Sequence, residues 1–230
     1  MTPAASPAAC GFALGVFAKW PAPGTVKTRL AAATTPEWAA RVAAAFLADT
    51  LDRLAAVGAR RFLAFAPAEA GADFGALAHD RFALVPQGDG DLGARLARFF
   101  AARLAEGAAA VVVVGADSPT LPAALVEKAF SELKSADAVL GPATDGGYYL
   151  LGCRRPPAGL FEGIDWGGPD VLRQTVARLP PDWRLAVLPP WYDVDSMDDW
   201  RMLSGHLAAL RRAGLDLGVP RTEALARGSG

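Results

Sequence analysis

The sequence predicts an α/β fold, a three-layer α/β/α sandwich around a mostly parallel mixed sheet. First, predicted strands and helices alternate along almost the whole chain, which is typical of this class. Second, residues 109–114 read Ala-Ala-Val-Val-Val-Val, and a strand that is apolar on both faces favours the centre of a parallel sheet. Third, a strand predicted at 148–152 follows one at 138–140 too closely for a helical crossover, so we expect the sheet to be mixed.

Composition excludes several classes of protein. The 230-residue chain is 52% hydrophobic and 20% charged, so it can bury a sizeable core and is neither disordered nor collagen-like. Its net charge of -1 argues against a role in coating nucleic acid. The longest apolar run, at 108–114, is too short to span a membrane. Two cysteines and an N-terminus without a basic region favour a reducing compartment, so we expect a cytoplasmic protein.

The first elements begin after a short leader rich in Ala and Pro. Residues 12–18 are continuously apolar and predict a buried strand. The segment 19–29 contains two prolines and a glycine and predicts a loop. Thr35 and Pro36 are typical of the cap and first position of a helix, which we expect over 37–57.

The same patterns predict the remaining elements. Strands are predicted at 61–66, 82–86, 109–114, 138–140, 148–152 and 184–188, and helices at 92–106, 121–134, 171–179 and 198–213. We therefore expect a disordered leader at 1–11, a single domain at 12–213 and a C-terminal tail at 214–230.

The loop after the first strand carries the first candidate site. Lys19, Lys27 and Arg29 lie close together in sequence, beside the permissive Gly24. Ligands of open α/β sheets bind beyond the carboxyl ends of the strands, so this loop is a candidate phosphate-binding loop. The alternative is an ordinary solvated basic loop.

Two weaker signals point to the same kind of ligand. The Gly-rich segment 87–93, which includes Gln87 and Gly88, precedes a predicted helix and either contacts a nucleotide or is an ordinary loop. Trp166 lies in a polar loop, where it either stacks on a base or sugar or covers the core.

Acidic residues follow two of the predicted strands. Asp117 comes directly after the central strand, and one carboxylate with substrate phosphates is how Mg²⁺ is usually held. A turn aspartate is the alternative. Asp193 and Asp195 alternate in an extended segment and point the same way, so they either complete a metal site or bind sugar hydroxyls. Alternatively, Asp195 or Ser196 only caps the next helix.

The segment Asp145-Gly146-Gly147 separates two predicted strands. It is either a tight hairpin turn or a substrate site. In the second interpretation the glycines let a substrate approach the backbone while Asp145 binds a hydroxyl.

Taken together, these motifs resemble a known bacterial family. Residues 17–30 (FAKWPAPGTVKTRL) resemble its opening motif, 115–119 (GADSP) its central motif, and 141–150 (GPATDGGYYL) its hairpin motif. Residues 161–166 and 193–195 resemble its later motifs in the same order. The family is that of the bacterial nucleotide-diphospho-sugar transferase-like proteins, also called radical-SAM/selenodomain-associated transferases.

The resemblance implies a GT-A fold, a nucleotide-activated donor and a divalent metal, Mg²⁺ or Mn²⁺. By that resemblance Lys19, Lys27 and Arg29 would hold the nucleotide and Asp117 the metal. Residue 115 is Gly, where many glycosyltransferases carry the first Asp of an Asp-x-Asp motif, so Asp193 or Asp195 is the candidate for a second ligand.

The main hypothesis is a glycosyltransferase that moves a sugar from its donor to a small-molecule acceptor. Lys27 and the metal would neutralise the leaving diphosphate, and Asp145 would bind the acceptor or act as base. A nucleotidyltransferase is the alternative, since the loop also resembles those of phospholactate guanylyltransferases and molybdopterin nucleotidyltransferases. A non-catalytic nucleotide-binding protein is the third hypothesis.

Overall fold

The computed structural model describes residues 11–216 and 218–228. The predicted disordered leader, residues 1–11, lies outside this part of the chain except for Gly11. The strands are β1 (Phe12–Lys19), β2 (Arg60–Ala66), β3 (Ala83–Pro86), β4 (Ala110–Gly115), β5 (Ala138–Pro142), β6 (Tyr148–Cys153) and β7 (Leu185–Val187). The helices are α1 (Thr28–Ala33), α2 (Pro36–Leu54), α3 (Gly71–Ala78), α4 (Leu92–Ala105), α5 (Ala123–Glu132), α6 (Val171–Val176), α7 (Met197–Arg212) and α8 (Pro220–Arg227).

The strands form one seven-stranded sheet in the order β3-β2-β1-β4-β6-β5-β7. Strand β6 is antiparallel to both of its neighbours, β4 and β5, and the other paired strands are parallel. The few residues between β5 and β6 allow only an antiparallel return. The predicted mostly parallel mixed sheet is confirmed.

Helices cover both faces of the sheet, as the side chains of β4 show. Val112 and Val114 pack into the core beneath α2, α3 and α5. Val111 and Val113 pack into the opposite core, against α4. Successive residues of a strand face opposite ways, so a strand buried on both faces must be apolar throughout. This confirms the predicted three layers and the central position of this strand.

A third apolar cluster joins α2 to the C-terminal helices. Phe46 of α2, Trp200 of α7 and Val219 lie in this cluster. The buried carboxylate of Asp49 accepts a hydrogen bond from the backbone N–H of Thr222 at 2.8 Å. Residues 214–230, which we expected to be a tail, therefore contain a packed helix, α8.

Three helices were not predicted. α1 has six residues and follows a loop with two prolines, and α3 contains Gly71 and Gly75, which lower helix propensity. α8 has eight residues and begins at Pro220, a start signal that the sequence does contain. The long helix α2 begins as predicted, because the Thr35 side chain accepts a hydrogen bond from Trp38 N, but it ends at Leu54 rather than residue 57.

None of the helices in residues 11–216 and 218–228 is long and apolar enough to cross a membrane.

Candidate active-site cleft

Two adjoining cavities open at the carboxyl ends of β1 and β4, which are parallel neighbours and so end at the same edge of the sheet. The first cavity has a volume of about 700 Å³ and the second of about 510 Å³. Arg29, Leu92 and Asp195 line both cavities and form their common boundary. This arrangement provides room for two ligands side by side.

Lys27 lines the first cavity and is almost completely buried, with a side chain that is 2% exposed. Its ammonium donates to Asp117 Oδ1 at 2.6 Å, to the Val194 carbonyl at 2.7 Å and to Asp195 Oδ1 at 3.3 Å. The centre of the Phe46 ring lies 4.8 Å from Lys27 Nζ. The ammonium thus joins the loop after β4 to the segment before α7.

The carboxylates of Asp117 and Asp195 stabilise the positive charge of Lys27. Burial by itself would lower the pKa of Lys27, but the charges of Asp117 and Asp195 outweigh it, so the pKa is raised. Lys27 therefore remains protonated at neutral pH. The backbone of Lys27 is left-handed, with φ of 46°, which turns the chain directly into α1.

Further cations line the first cavity. Lys19 lies at the end of β1, and its side chain forms no ion pair or hydrogen bond with the described residues. Arg29 is 64% exposed and contacts Asp195 Oδ2 at 3.3 Å. Arg95 reaches the cavity from α4, and the sequence analysis did not identify it. Gly24, with φ of 79°, shapes the loop and does not line the cavity.

The Gly-rich segment forms another wall of the first cavity. The side chain of Gln87 is buried and donates to the carbonyls of Ala18 and Ala64, and its Oε1 accepts from Arg95 at 3.2 Å. The amide thus joins the ends of β1 and β2. Gly88 has φ of 73° and packs against the Arg98 guanidinium. Both residues shape the wall through these internal contacts.

Asp193 lines the second cavity, whereas Lys27 lines the first. Burial raises its pKa to about 7, the hydrogen bond from Ser118 opposes the shift, and the charges of Asp117, Asp145 and Asp195 add to it. Ser118 was not identified from the sequence.

The candidate cation ligands are oxygen atoms. Among residues 11–216 and 218–228, no group of three or more His, Cys, Asp or Glu side chains could hold a metal ion. Oxygens of Asp117, Val194 and Asp195 nevertheless converge on one cation, the Lys27 ammonium. Carboxylate and carbonyl oxygens are the ligands that Mg²⁺ prefers, and it commonly takes its remaining ligands from substrate phosphates and water. The donor set therefore fits such an ion.

The hairpin between β5 and β6 borders the second cavity. Asp145 is exposed there, and its Oδ1 accepts from Gly147 N at 2.9 Å. A Cβ at Gly146 would lie 1.9 Å from the Pro169 carbonyl oxygen. The sequence predicted that this glycine lets a substrate approach, but the loop before α6 occupies its open side.

Trp166 lines the second cavity and also packs against the core beneath α4. A Cβ at Gly93 would lie 2.8 Å from Trp166 Nε1 and 2.2 Å from the Phe161 carbonyl oxygen. The absence of a side chain at Gly93 thus allows the Trp166 loop to lie on the first turn of α4. Trp166 thus covers the core, one of the two roles that the sequence left open, and it also lines the second cavity. Its stacking on a base or sugar stays a prediction.

A buried polar network fixes the segment that carries Asp193 and Asp195. Thr120 donates to the Tyr192 hydroxyl at 2.7 Å, and that hydroxyl pairs with His206 Nδ1 at 2.7 Å. Ser196 caps α7 in a capping box, so Asp195 is left to contact Lys27. No pattern near Thr120 or His206 indicated this network in the sequence.

Comparisons with known proteins agree with this architecture. Residues 50–168 match the family model described as "Uncharacterized protein conserved in bacteria (DUF2064)". None of the curated proteins matches the chain. A crystal structure from Desulfovibrio desulfuricans G20, provisionally named a nucleotide-diphospho-sugar transferase, is 32% identical, with a TM-score of 0.84 over 95% of this chain and 97% of that chain.

More distant structures share the fold. A cytidylyltransferase from Leptospira borgpetersenii serovar Hardjo-bovis is 12% identical, with a TM-score of 0.57 over 95% of each chain. The 4-diphosphocytidyl-2C-methyl-D-erythritol synthase of Anaerococcus prevotii DSM 20548 is 11% identical, with a TM-score of 0.55 over 86% of this chain and 99% of that chain. The fold of this chain is thus that of the nucleotide-diphospho-sugar transferases, as the sequence motifs implied.

Proposed function

The chain belongs to the bacterial family DUF2064, and from that premise we propose that it is a glycosyltransferase that uses a nucleotide-diphospho-sugar donor. The observation that carries the proposal is the difference in charge between the two adjoining cavities. In the first, the basic side chains of Lys19, Lys27, Arg29 and Arg95 outnumber the carboxylates of Asp91, Asp117 and Asp195. In the second, the carboxylates of Asp145, Asp193 and Asp195 outnumber the single basic side chain, Arg29, among the described lining residues.

The first cavity suits the donor. Its volume of about 700 Å³ lies in the usual range for small-molecule sites. The basic side chains of Lys19, Arg29 and Arg95 would contact the diphosphate, which carries most of the donor's charge. They would also stabilise the charge that develops on the diphosphate as the glycosidic bond breaks.

The second cavity suits an acceptor rich in hydroxyl groups. Carboxylates accept hydrogen bonds from hydroxyls and repel phosphates. The side chain of Arg29, the one cation among the described residues lining this cavity, already contacts Asp195. Asp145 or Asp193 would take the proton of the attacking hydroxyl. We therefore propose an acceptor without a phosphate group.

A divalent ion would be held by Asp117 and Asp195 together with phosphate oxygens of the donor. When bound, Mg²⁺ or Mn²⁺ supplies positive charge beside the leaving diphosphate.

A nucleotidyltransferase is the second candidate, and the four basic side chains of the first cavity favour it because they would also suit a triphosphate. That reaction needs a phosphorylated acceptor to attack the nucleotide. The carboxylates of the second cavity would repel the phosphate of such an acceptor. We therefore favour glycosyl transfer over nucleotidyl transfer.

Thermal unfolding with a panel of nucleotides tests the proposal. Nucleotide-diphospho-sugars and nucleoside triphosphates are compared with Mn²⁺ and with EDTA. A ligand at a hundred times its dissociation constant adds about 2.7 kcal/mol of stability. We expect one nucleotide-diphospho-sugar to stabilise more than the matching triphosphate, and to release nucleoside diphosphate when neutral sugars are added. Stabilisation by a triphosphate with pyrophosphate release would favour the second candidate, and a panel without any shift would contradict both.

A further inference from the structure

The Lys27 ammonium lies among oxygen atoms that would suit a metal ion. Its ammonium has three N–H donors, and three oxygens accept from it: Asp117 Oδ1, the Val194 carbonyl and Asp195 Oδ1. A lysine that serves only to bind phosphate would be expected to direct donors toward the ligand. In this structure no donor of Lys27 is left for one.

We propose that Lys27 is an internal substitute for the divalent ion, so that the donor-free protein binds metal weakly. The nucleotide's diphosphate would draw Lys27 away and release the two carboxylates for the metal. Metal and nucleotide would therefore bind cooperatively. The second step rests on the proposed function, because that function supplies the diphosphate.

The charges of the side chains around Lys27 support the expectation that the donor-free protein binds metal weakly. Lys27 and Arg29 balance the two carboxylates of Asp117 and Asp195, so these four side chains together carry no net charge before any ligand binds. A divalent ion on the same Oδ1 atoms would lie beside the ammonium. Like charges at such short separation repel strongly, and burial of Lys27 limits the screening by water.

A metal ion and a diphosphate can both reach these side chains from the first cavity. Asp117 is 54% exposed, so a metal ion can approach its carboxylate from the first cavity. Lys27 itself lines the first cavity, as Lys19 and Arg29 do. A diphosphate bound there would offer oxygens in exchange for the carboxylates, and the ammonium would keep a full set of acceptors.

Mn²⁺ binding to the full chain, without nucleotide, tests the first step. Free Mn²⁺ is followed by electron paramagnetic resonance for the wild type, Lys27→Met, Lys27→Gln and Lys19→Met. We expect both Lys27 variants to bind Mn²⁺ at least tenfold more tightly than the wild type. Lys19→Met, which removes one charge from the same cavity without touching the carboxylates, should stay within about threefold of it.

Adding a nucleoside diphosphate tests the second step. It should tighten Mn²⁺ binding at least tenfold in the wild type and much less in Lys27→Gln. Gln can still donate to Val194, so this variant keeps the test valid if Lys27→Met does not fold, as checked by circular dichroism. Folded Lys27 variants with wild-type Mn²⁺ affinity would overturn the inference and leave the proposed function standing. Tighter Mn²⁺ binding by these variants, with no nucleotide bound by any protein, would support the substitution by Lys27 and contradict the donor.

Discussion

Replacing Gly146 by alanine tests how the second cavity is built. A Cβ at this position would lie 1.9 Å from the Pro169 carbonyl oxygen, a backbone atom that cannot rotate away. The backbone φ of 93° adds strain for any L side chain. The hairpin and the loop before α6 must then separate. We expect about 1–2 kcal/mol from the backbone strain and about 1–3 kcal/mol from the overlap.

Gly167 provides a matched control in the neighbouring loop. Its φ is 103°, yet a Cβ there would meet no atom within 4 Å. Gly167→Ala should therefore lower the free energy of unfolding only by the backbone strain, about 1–2 kcal/mol. Urea unfolding, followed by the fluorescence of the six tryptophans, measures the two variants side by side.

The two variants should also differ in binding. Gly146→Ala should weaken acceptor binding at least tenfold and leave the nucleotide's affinity within about twofold, because the hairpin borders only the second cavity. Unfolding of Gly146→Ala and Gly167→Ala at the same urea concentration would contradict the prediction, because it would show that the close contact between Gly146 and Pro169 does not affect stability.

Three further predictions concern other parts of the molecule. Asp49→Asn should cost about 2–3 kcal/mol of unfolding free energy in urea, because the buried carboxylate loses its ion pair with the half-exposed Arg221; unchanged stability would contradict a docked α8. With Cys10 replaced by Ser, Cys153 should react with a thiol reagent only on unfolding, even at pH 9, because burial raises its pKa to about 12; rapid reaction in the native state would refute this. Asp117→Asn should abolish the Mn²⁺-dependent part of nucleotide stabilisation in thermal unfolding and retain the part that survives EDTA, and equal losses of both would contradict its role as a ligand.

The sequence predicted the fold, and it predicted that the candidate site lies at one edge of the sheet. The apolar run of β4 predicted a central strand, and the short step from β5 to β6 predicted the antiparallel return. Lys27 and Asp117 each follow a parallel strand, so their meeting at one edge follows from the general rule for such sheets. The three short helices were missed because six or eight residues give little periodic signal, and two of them also contain glycine or begin at proline.

The contacts of those residues depend on the packing of segments that lie far apart in the sequence. Lys27 meets Asp117 across 90 residues of chain and Val194 across 167, and no local pattern specifies such partners. Asp193 and Asp195 are alike in sequence, yet one binds Ser118 in the second cavity and the other binds Lys27. Packing of distant segments sets these distances and charges, and the proposal that Lys27 takes the place of a metal ion rests on them.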